Sequence, residues 1–374
     1  MGASCSSTAL NRYNNIKKRL NQKTCLTFGS ADGLLPRMEG QAPPIWLFGE
    51  DHAENESDYI KGNMRNCALV TDLVEQAVSS CDKNSVEVIV VFENAVVADN
   101  PYFFKRDVND AEHEGDAHHD VRSIRRTVKE QAVLYKNISI TYMDVFGRVR
   151  LFYQDQLDDP RLGHNKYVIN MVQQELKEFW VTCGKYEDKK ARSKSMCLLQ
   201  RSMPVAHDMM RRFQQNKCVN PRNGFKIFIT LLCVNIARVL LLSRIHNNLD
   251  LTLRRADMKV IKDIDNHIEY ILGGNINIPA ALQRGIVYGH VRKEEAKFMI
   301  FEAEVFGLIV LAGDAILYEF LSSLNGSDKL VVMHAGFQHV NHQRKWLLKG
   351  KYDSDFEKVS DLLLQHEDFA ESRT

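Results

Sequence analysis

Four short runs of the chain are apolar nearly throughout: IWLF at 45–48, VEVIVVF at 86–92, ISITYM at 138–143 and KLVVM at 329–333. A strand packed on one side alternates apolar and polar residues, whereas one covered on both faces reads as an almost unbroken run of Val, Ile and Leu. Their length and β-forming content predict strands. The stretch between the first two runs carries the other period. Met64, Leu69, Val70, Leu73 and Val74 share one helical face, Ala77 and Val78 extend it, and Asp51 with Glu54 forms a D-x-x-E capping signature at its start. The segment DVRSIRRTVKEQAVLYKN, starting near Asp120, predicts a second crossover helix. The order β-α-β-α-β predicts right-handed crossovers and a layered α/β arrangement.

From about 151 to 325 the pattern is mainly helical, with charged stretches such as KYEDKKARSK between long amphipathic segments. The expected fold is therefore α/β, with a mainly parallel central sheet flanked by helices and a large helical insertion before the last strand. The expected boundaries are a flexible N-terminal tail over 1–43, closing in GQAPP, and a first part of the α/β core over 44–150. A helical insertion follows over 151–300, then the last helix and strand over 301–349 and a C-terminal tail over 350–374. Two apolar stretches, 225–243 and 298–321, invite comparison with membrane spans. The first carries Asn235 and Arg238, and the second Glu302, Glu304 and Asp314. A bilayer interior tolerates such groups poorly, so both read as buried core helices.

Charge is balanced, with 49 basic and 48 acidic residues among 374. No domain-wide basic face follows, and no nucleic-acid partner is expected. The eight cysteines are scattered without a C-x-x-C pair, which suggests neither a zinc knuckle nor a disulfide framework and fits a reducing compartment. The first 25 residues lack the apolar core of a secretory signal. The start MGASCSS instead fits M-G-x-x-x-[ST], with Gly2 as myristate acceptor, Cys5 placed for a palmitoyl chain, and Lys17, Lys18 and Arg19 following. A single acyl chain holds a membrane marginally, and a second chain or a basic patch makes the hold stable. The expected location is the cytoplasmic side of a membrane, in a host cell or virion if the protein is viral.

Each apolar run ends in chemistry. The first is followed by Gly49-Glu50-Asp51-His52, the second by Glu93-Asn94, and the third by Asp144 with Arg148 close by. The last is followed by His334 and then Gly336-Phe337-Gln338-His339. In a parallel sheet the carboxyl ends of strands share one edge, and ligands bind there. Glu50, His52, Glu93, Asp144, His334 and His339 are thus expected to gather. Imidazole with carboxylate suits a divalent ion such as manganese, cobalt or zinc, and a nearby carboxylate can take a proton from water. Plainer readings stand beside these. Asp51 reads first as a helix cap, Glu54 as its partner, and His334 as a satisfied core histidine. EHEGDAHHD, ending at Asp120, reads first as a solvated acidic loop.

The pair Gly49-x-x-His52 and Gly336-x-x-His339, with the strand-end Glu93 between, resembles the superfamily of erythromycin esterase, the ChaN haem-binding lipoproteins and the TraB/Tiki proteins. LFGEDH looks like its G-E-x-H segment, VVFENA like its glutamate strand and VVMHAGFQHVNH like its closing strand. GDAILYEFL and the Asp144–Arg148 pair resemble segments of members from large DNA viruses. The resemblance covers about 45–150 and 305–349. It implies a metal-dependent hydrolase acting on a peptide or ester, with His52, His339, Glu50 and Glu93 as ligands or bases and Asn341 or Arg344 as an oxyanion partner. Two other readings remain. One is a non-enzymatic, membrane-associated structural or host-interaction protein that keeps the fold. The other is haem or iron binding, with a tyrosine such as Tyr142 or Tyr153 as axial ligand.

Overall fold

The computed structural model describes residues 7–20, 25–27, 29–34, 43–50, 67–69, 87–95, 138–147, 149, 165–215, 224–273, 283, 287, 292–324 and 329–347. The chain divides into two compact units, one of residues 1–143 with 320–374 and the other of residues 144–319.

In the first unit the four apolar runs all become strands: β3 (Ile45–Glu50), β5 (Glu87–Ala95), β6 (Ile138–Asp144) and β7 (Lys329–Gly336). With β2 (Gly29–Leu34) they form a mostly parallel five-stranded sheet in the order β2-β3-β7-β5-β6. β7 lies at the centre, parallel to β3 on one side and to β5 on the other, and β2 runs antiparallel to β3. Trp46, Leu47 and Phe48, like Val88 to Phe92 and Leu330 to Ala335, are buried at successive positions. Both sheet faces are therefore covered, which is why these runs show no alternation.

The segment expected to be a tail is built into this unit. It contains α1 (Ser7–Leu20), β1 (Cys25–Thr27) and β2. On α1, Ala9, Arg12, Tyr13 and Ile16 are buried at one-turn spacing, the amphipathic pattern of a docked helix. Tyr13 stacks on Trp46, with ring centroids 4.7 Å apart. Gly33 lies opposite Trp46 in the β2–β3 register. A Cβ on Gly33 would collide with the Tyr13 hydroxyl and come within 2.9 Å of Trp46. The glycine is thus the space into which the tyrosine packs.

The expected helix over Met64–Val78 is interrupted. Cys67–Leu69 forms β4, paired in parallel with β1. A run as short as CALV fits either period, and the partner strand decides between them. The remainder of that stretch, the helix expected from Asp120 and the tail over 350–374 lie outside the described residues.

The second unit is helical. α2 (Asn165–Thr182), α3 (Asp188–Gln214), α4 (Gly224–Asn247), α5 (Leu251–Leu272) and most of α6 (Lys293–Ser323) belong to it. Gly184 closes α2 in the left-handed region (φ 67°), where a side chain would be strained. Its amide donates to Val181 O at 3.0 Å, and the Lys185 amide donates to Trp180 O at 2.9 Å. α4 packs against α2, α3 and α5. It is long and apolar enough to cross a membrane, and 67% of its most apolar window is buried inside the protein. Its polar residues find internal partners: Asn235 donates to Leu231 O at 2.8 Å, and Arg238 pairs with Asp265 at 3.0 Å.

A buried ionic network ties these helices together. Arg244 of α4 grips Asp257 of α5 through two hydrogen bonds, 2.8 and 2.6 Å, and donates to Glu319 O at 2.9 Å. Tyr318 donates to the same carboxylate at 3.1 Å, its ring 5.5 Å from the guanidinium. Lys185, on the α2–α3 turn, pairs with Glu319. A pair like this one is costly to break from one side, because the remaining charge stays buried.

Two outcomes follow. Gly33→Ala should lower stability by about 1–3 kcal/mol through overpacking against Tyr13 and Trp46, read as a lower thermal midpoint. Asp257→Ala should destabilise by about 3–5 kcal/mol by leaving Arg244 without its carboxylate, read by urea titration. Wild-type midpoints in either variant would contradict the corresponding packing.

Candidate functional site

The register of the sheet fixes where the chemistry-bearing strand ends lie. Glu50 is level with Gly336 across the β3–β7 pair, and Phe48 is level with His334. On the other side of β7, Phe92 is level with the same His334. Glu93 follows one residue beyond that pairing, still within β5. β3, β5 and β7 therefore finish at one edge. Adjacent strands lie about 4.8 Å apart, so the backbones of β3 and β5 are separated by about 10 Å across β7. Asp144 closes β6, the strand beside β5.

β7 runs directly into α7 (Phe337–Leu347). Gly336 ends the strand, and His339 becomes the third residue of the helix, buried. His339, Val340, Gln343 and Trp346 are buried at helical spacing, and α7 packs on β2, β3 and β7. The last turn carries Arg344 and Lys345, a charge placement that suits the negative end of the helix dipole. The first turn contains no acidic residue. Its amide groups therefore present the positive end of that dipole where the parallel strands stop.

The remaining candidate residues take different positions. His334 sits two residues inside β7 rather than at its end. It is 2% exposed, level with Phe48 and Phe92, and its ring meets Phe92 edge-on at 6.4 Å. It belongs to the aromatic core on the sheet face that carries Trp46 and receives Tyr13. Asn341 is exposed on α7, away from the buried stripe of that helix. Arg344 faces Asp32 of β2, with guanidinium and carboxylate 3.9 Å apart. The side chains of Glu50, Glu93 and Asp144, and residues Gly2, Cys5, His52 and Arg148, lie outside the described residues, as do Tyr153 and the side chain of Tyr142. Among the described residues no group of three His, Cys, Asp or Glu side chains is placed to hold a metal ion.

No protein-family model, curated protein or solved structure matches the chain. The local geometry therefore carries the reading of the site.

That geometry adds one residue the sequence reading passed over. Asp32 is fully buried, level with Leu47 across the β2–β3 pair. Leu47 is in turn level with Met333. Strand side chains alternate between faces, so Asp32 shares its face with Leu47 and Met333, opposite to His334. Neither carboxylate oxygen accepts a hydrogen bond from the described residues. Burial pushes its pKa up from 3.8 to about 6, against the opposing pull of Arg344. Its neighbours Ala31 and Gly33 gave no sign of a strand, and Asp-Gly reads as a turn. Nothing in the local pattern marks it.

An acid whose folded pKa is raised binds its proton more tightly folded than unfolded. Stability therefore falls as pH rises from about 4 to about 6, and is independent of this group above that window. Asp32→Asn removes the ionisation. The variant should be more stable than wild type at pH 8 by on the order of 2 kcal/mol, and the gain should shrink as pH falls below 6. Urea titrations across that range check it, and a gain unchanged by pH would contradict the assignment.

Proposed function

We propose that this chain is a metal-dependent hydrolase of the erythromycin esterase/Tiki-like class, acting on a peptide or ester and held to a membrane by N-terminal acylation. One observation carries the reading: the first and last G-x-x-H segments issue from adjacent parallel strands, β3 and β7, whose ends are level. The glutamate strand β5 flanks β7 on its other side. Three segments far apart in sequence thus converge on one edge, as shared chemistry requires. We read the helical block as an insertion before the last strand.

The donor set at this edge fits a divalent ion. His52 and His339 offer imidazole nitrogens, Glu50 and Glu93 offer carboxylates, and none is a thiolate. Manganese, cobalt or zinc bound there would polarise a carbonyl and acidify water. The other steps belong to the chain. Glu50 or Glu93 takes the proton of the attacking water as general base. The first-turn amides of α7 receive the negative charge that develops on the carbonyl oxygen. Asp144, with Arg148 near it in sequence, supports the carboxylates from β6. Arg344 is engaged with Asp32 and serves the position of α7 rather than the oxyanion. Gly2 and Cys5 are the acceptors for the acyl chains, and Lys17 and Lys18 add basic charge.

Purified protein incubated with a panel of peptides and esters in Mn²⁺, Co²⁺ or Zn²⁺ should hydrolyse at least one of them. His52→Ala and His339→Ala should each reduce that activity by at least about 100-fold, while folding as wild type by circular dichroism. Wild-type rates in both variants would remove the two histidines from the reaction. Stoichiometric metal in the wild type and its loss in the variants is the companion measurement.

A further inference from the structure

We infer that the connection between α4 and α5, with the N-terminal half of α5, is a docking surface for an anionic lipid bilayer. The connection is Asn248-Leu249-Asp250, and Leu249 stands at its apex, 95% exposed. Leu251 begins α5 at 63% exposed, and Met258 is 49% exposed. Soluble surfaces carry single exposed leucines without consequence. Here the spacing separates this surface from that background. Leu251, Arg254, Arg255, Met258 and Lys262 are all exposed, and they recur at three-, four- and seven-residue intervals along one face of the helix. The opposite face is the buried one, with Val260, Ile261, Ile264, Ile268 and Ile271.

The exposed charges that Arg254, Arg255 and Lys262 place on the helix face are basic, and the connection carries one exposed carboxylate, Asp250. Asp250 caps α5, accepting from the amides of Thr252 at 2.7 Å and Leu253 at 3.4 Å. Asp257 turns inward to Arg244, and Asp263 is half-buried. What faces outward along this face of α5 is leucine and methionine interleaved with arginine and lysine. That is the composition of an interfacial helix, whose apolar side chains enter the headgroup boundary while basic ones pair with anionic lipid. A protein partner is more commonly anchored by aromatic side chains, and none stands among residues 248–262.

The surface lies wholly within the helical unit and needs neither acylation at Gly2 nor hydrolase activity. The test uses the full-length chain as Gly2→Ala, so that no myristate contributes. It is sedimented with vesicles of phosphatidylcholine alone or mixed with phosphatidylserine. Binding should appear with the anionic vesicles and weaken as salt is raised. Leu249→Asp with Leu251→Asp should reduce the partition coefficient by about tenfold or more. Arg254→Glu with Arg255→Glu should reduce it by a similar factor, about tenfold. Both pairs are exposed, so folding should survive, and circular dichroism checks it. Equal sedimentation with both vesicle types, or variants that bind as the parent does, would overturn the inference. So would a tip whose substitution alters self-association by sedimentation velocity but not vesicle binding. If the wild-type chain binds only when myristoylated and Gly2→Ala does not bind, this surface fails and the acyl anchor stands. If Gly2→Ala binds and myristate is never incorporated, the anchor fails and this surface stands.

Discussion

Backbone hydrogen bonds between Ile45–Glu50 and Val331–Gly336 join the two ends of the chain, and everything placed at the sheet edge inherits its position from them. Loop-closure entropy grows only logarithmically with length, about 0.6 kcal/mol for each doubling. A helical unit can therefore intervene between the two strands at modest cost to their pairing. What the pairing cannot tolerate is a slip. A shift of one residue would exchange every side chain between faces, moving His334 from the aromatic side of Phe48 and Phe92 to the side that holds Asp32 and Arg344. Burial on both faces and the bulk of Trp46 and Phe48 fix the register against that exchange.

The two faces of this sheet are closed by different chemistry. On one, α1 docks through Tyr13 on Trp46, in a space that only Gly33 leaves open. On the other, α7 lies across β2, β3 and β7 with an ion pair, Arg344 to Asp32, at its C-terminal half. The first contact is centred on aromatic stacking, with Arg12 buried beside it. The second contains a carboxyl whose charge is opposed by its own burial. Both contacts recruit β2, which has little apolar content of its own. An antiparallel edge strand held by partners on both faces is an economical way to protect the sheet margin from pairing with other chains.

The same facts explain what could be read from sequence. The three interior strands β3, β5 and β7 were legible because burial on both faces leaves an unbroken apolar signature, as in VIVVF, and the edge strand β6, with Ser139 exposed, was legible from its β-forming content. That β3, β5 and β7 finish at one edge was legible because parallel strands share an edge. β2 was not, since GSADGL holds two glycines, a serine and an aspartate, and its burial comes from α1 and α7 rather than from its own side chains. β4 was hidden inside a helical pattern that a three-residue partner overrode. Asp32 carries no local mark at all, because its significance lies in what surrounds it. Asn341 and Arg344 were placed by resemblance, and α7 leaves one exposed and commits the other to Asp32.

The strand end HAGFQH shows how closely spaced residues acquire different roles. His334 is still inside β7, where its neighbours across the sheet are aromatic. Gly336 ends the strand without a Cβ, and the backbone turns at once into α7, lifting His339 out of the sheet plane into the first helical turn. The first-turn amides have no partner within the helix, and no acidic side chain of that turn caps them. Their positive end faces the edge at which Glu50 and Glu93 leave their strands. The helix dipole supplies about half a positive charge there.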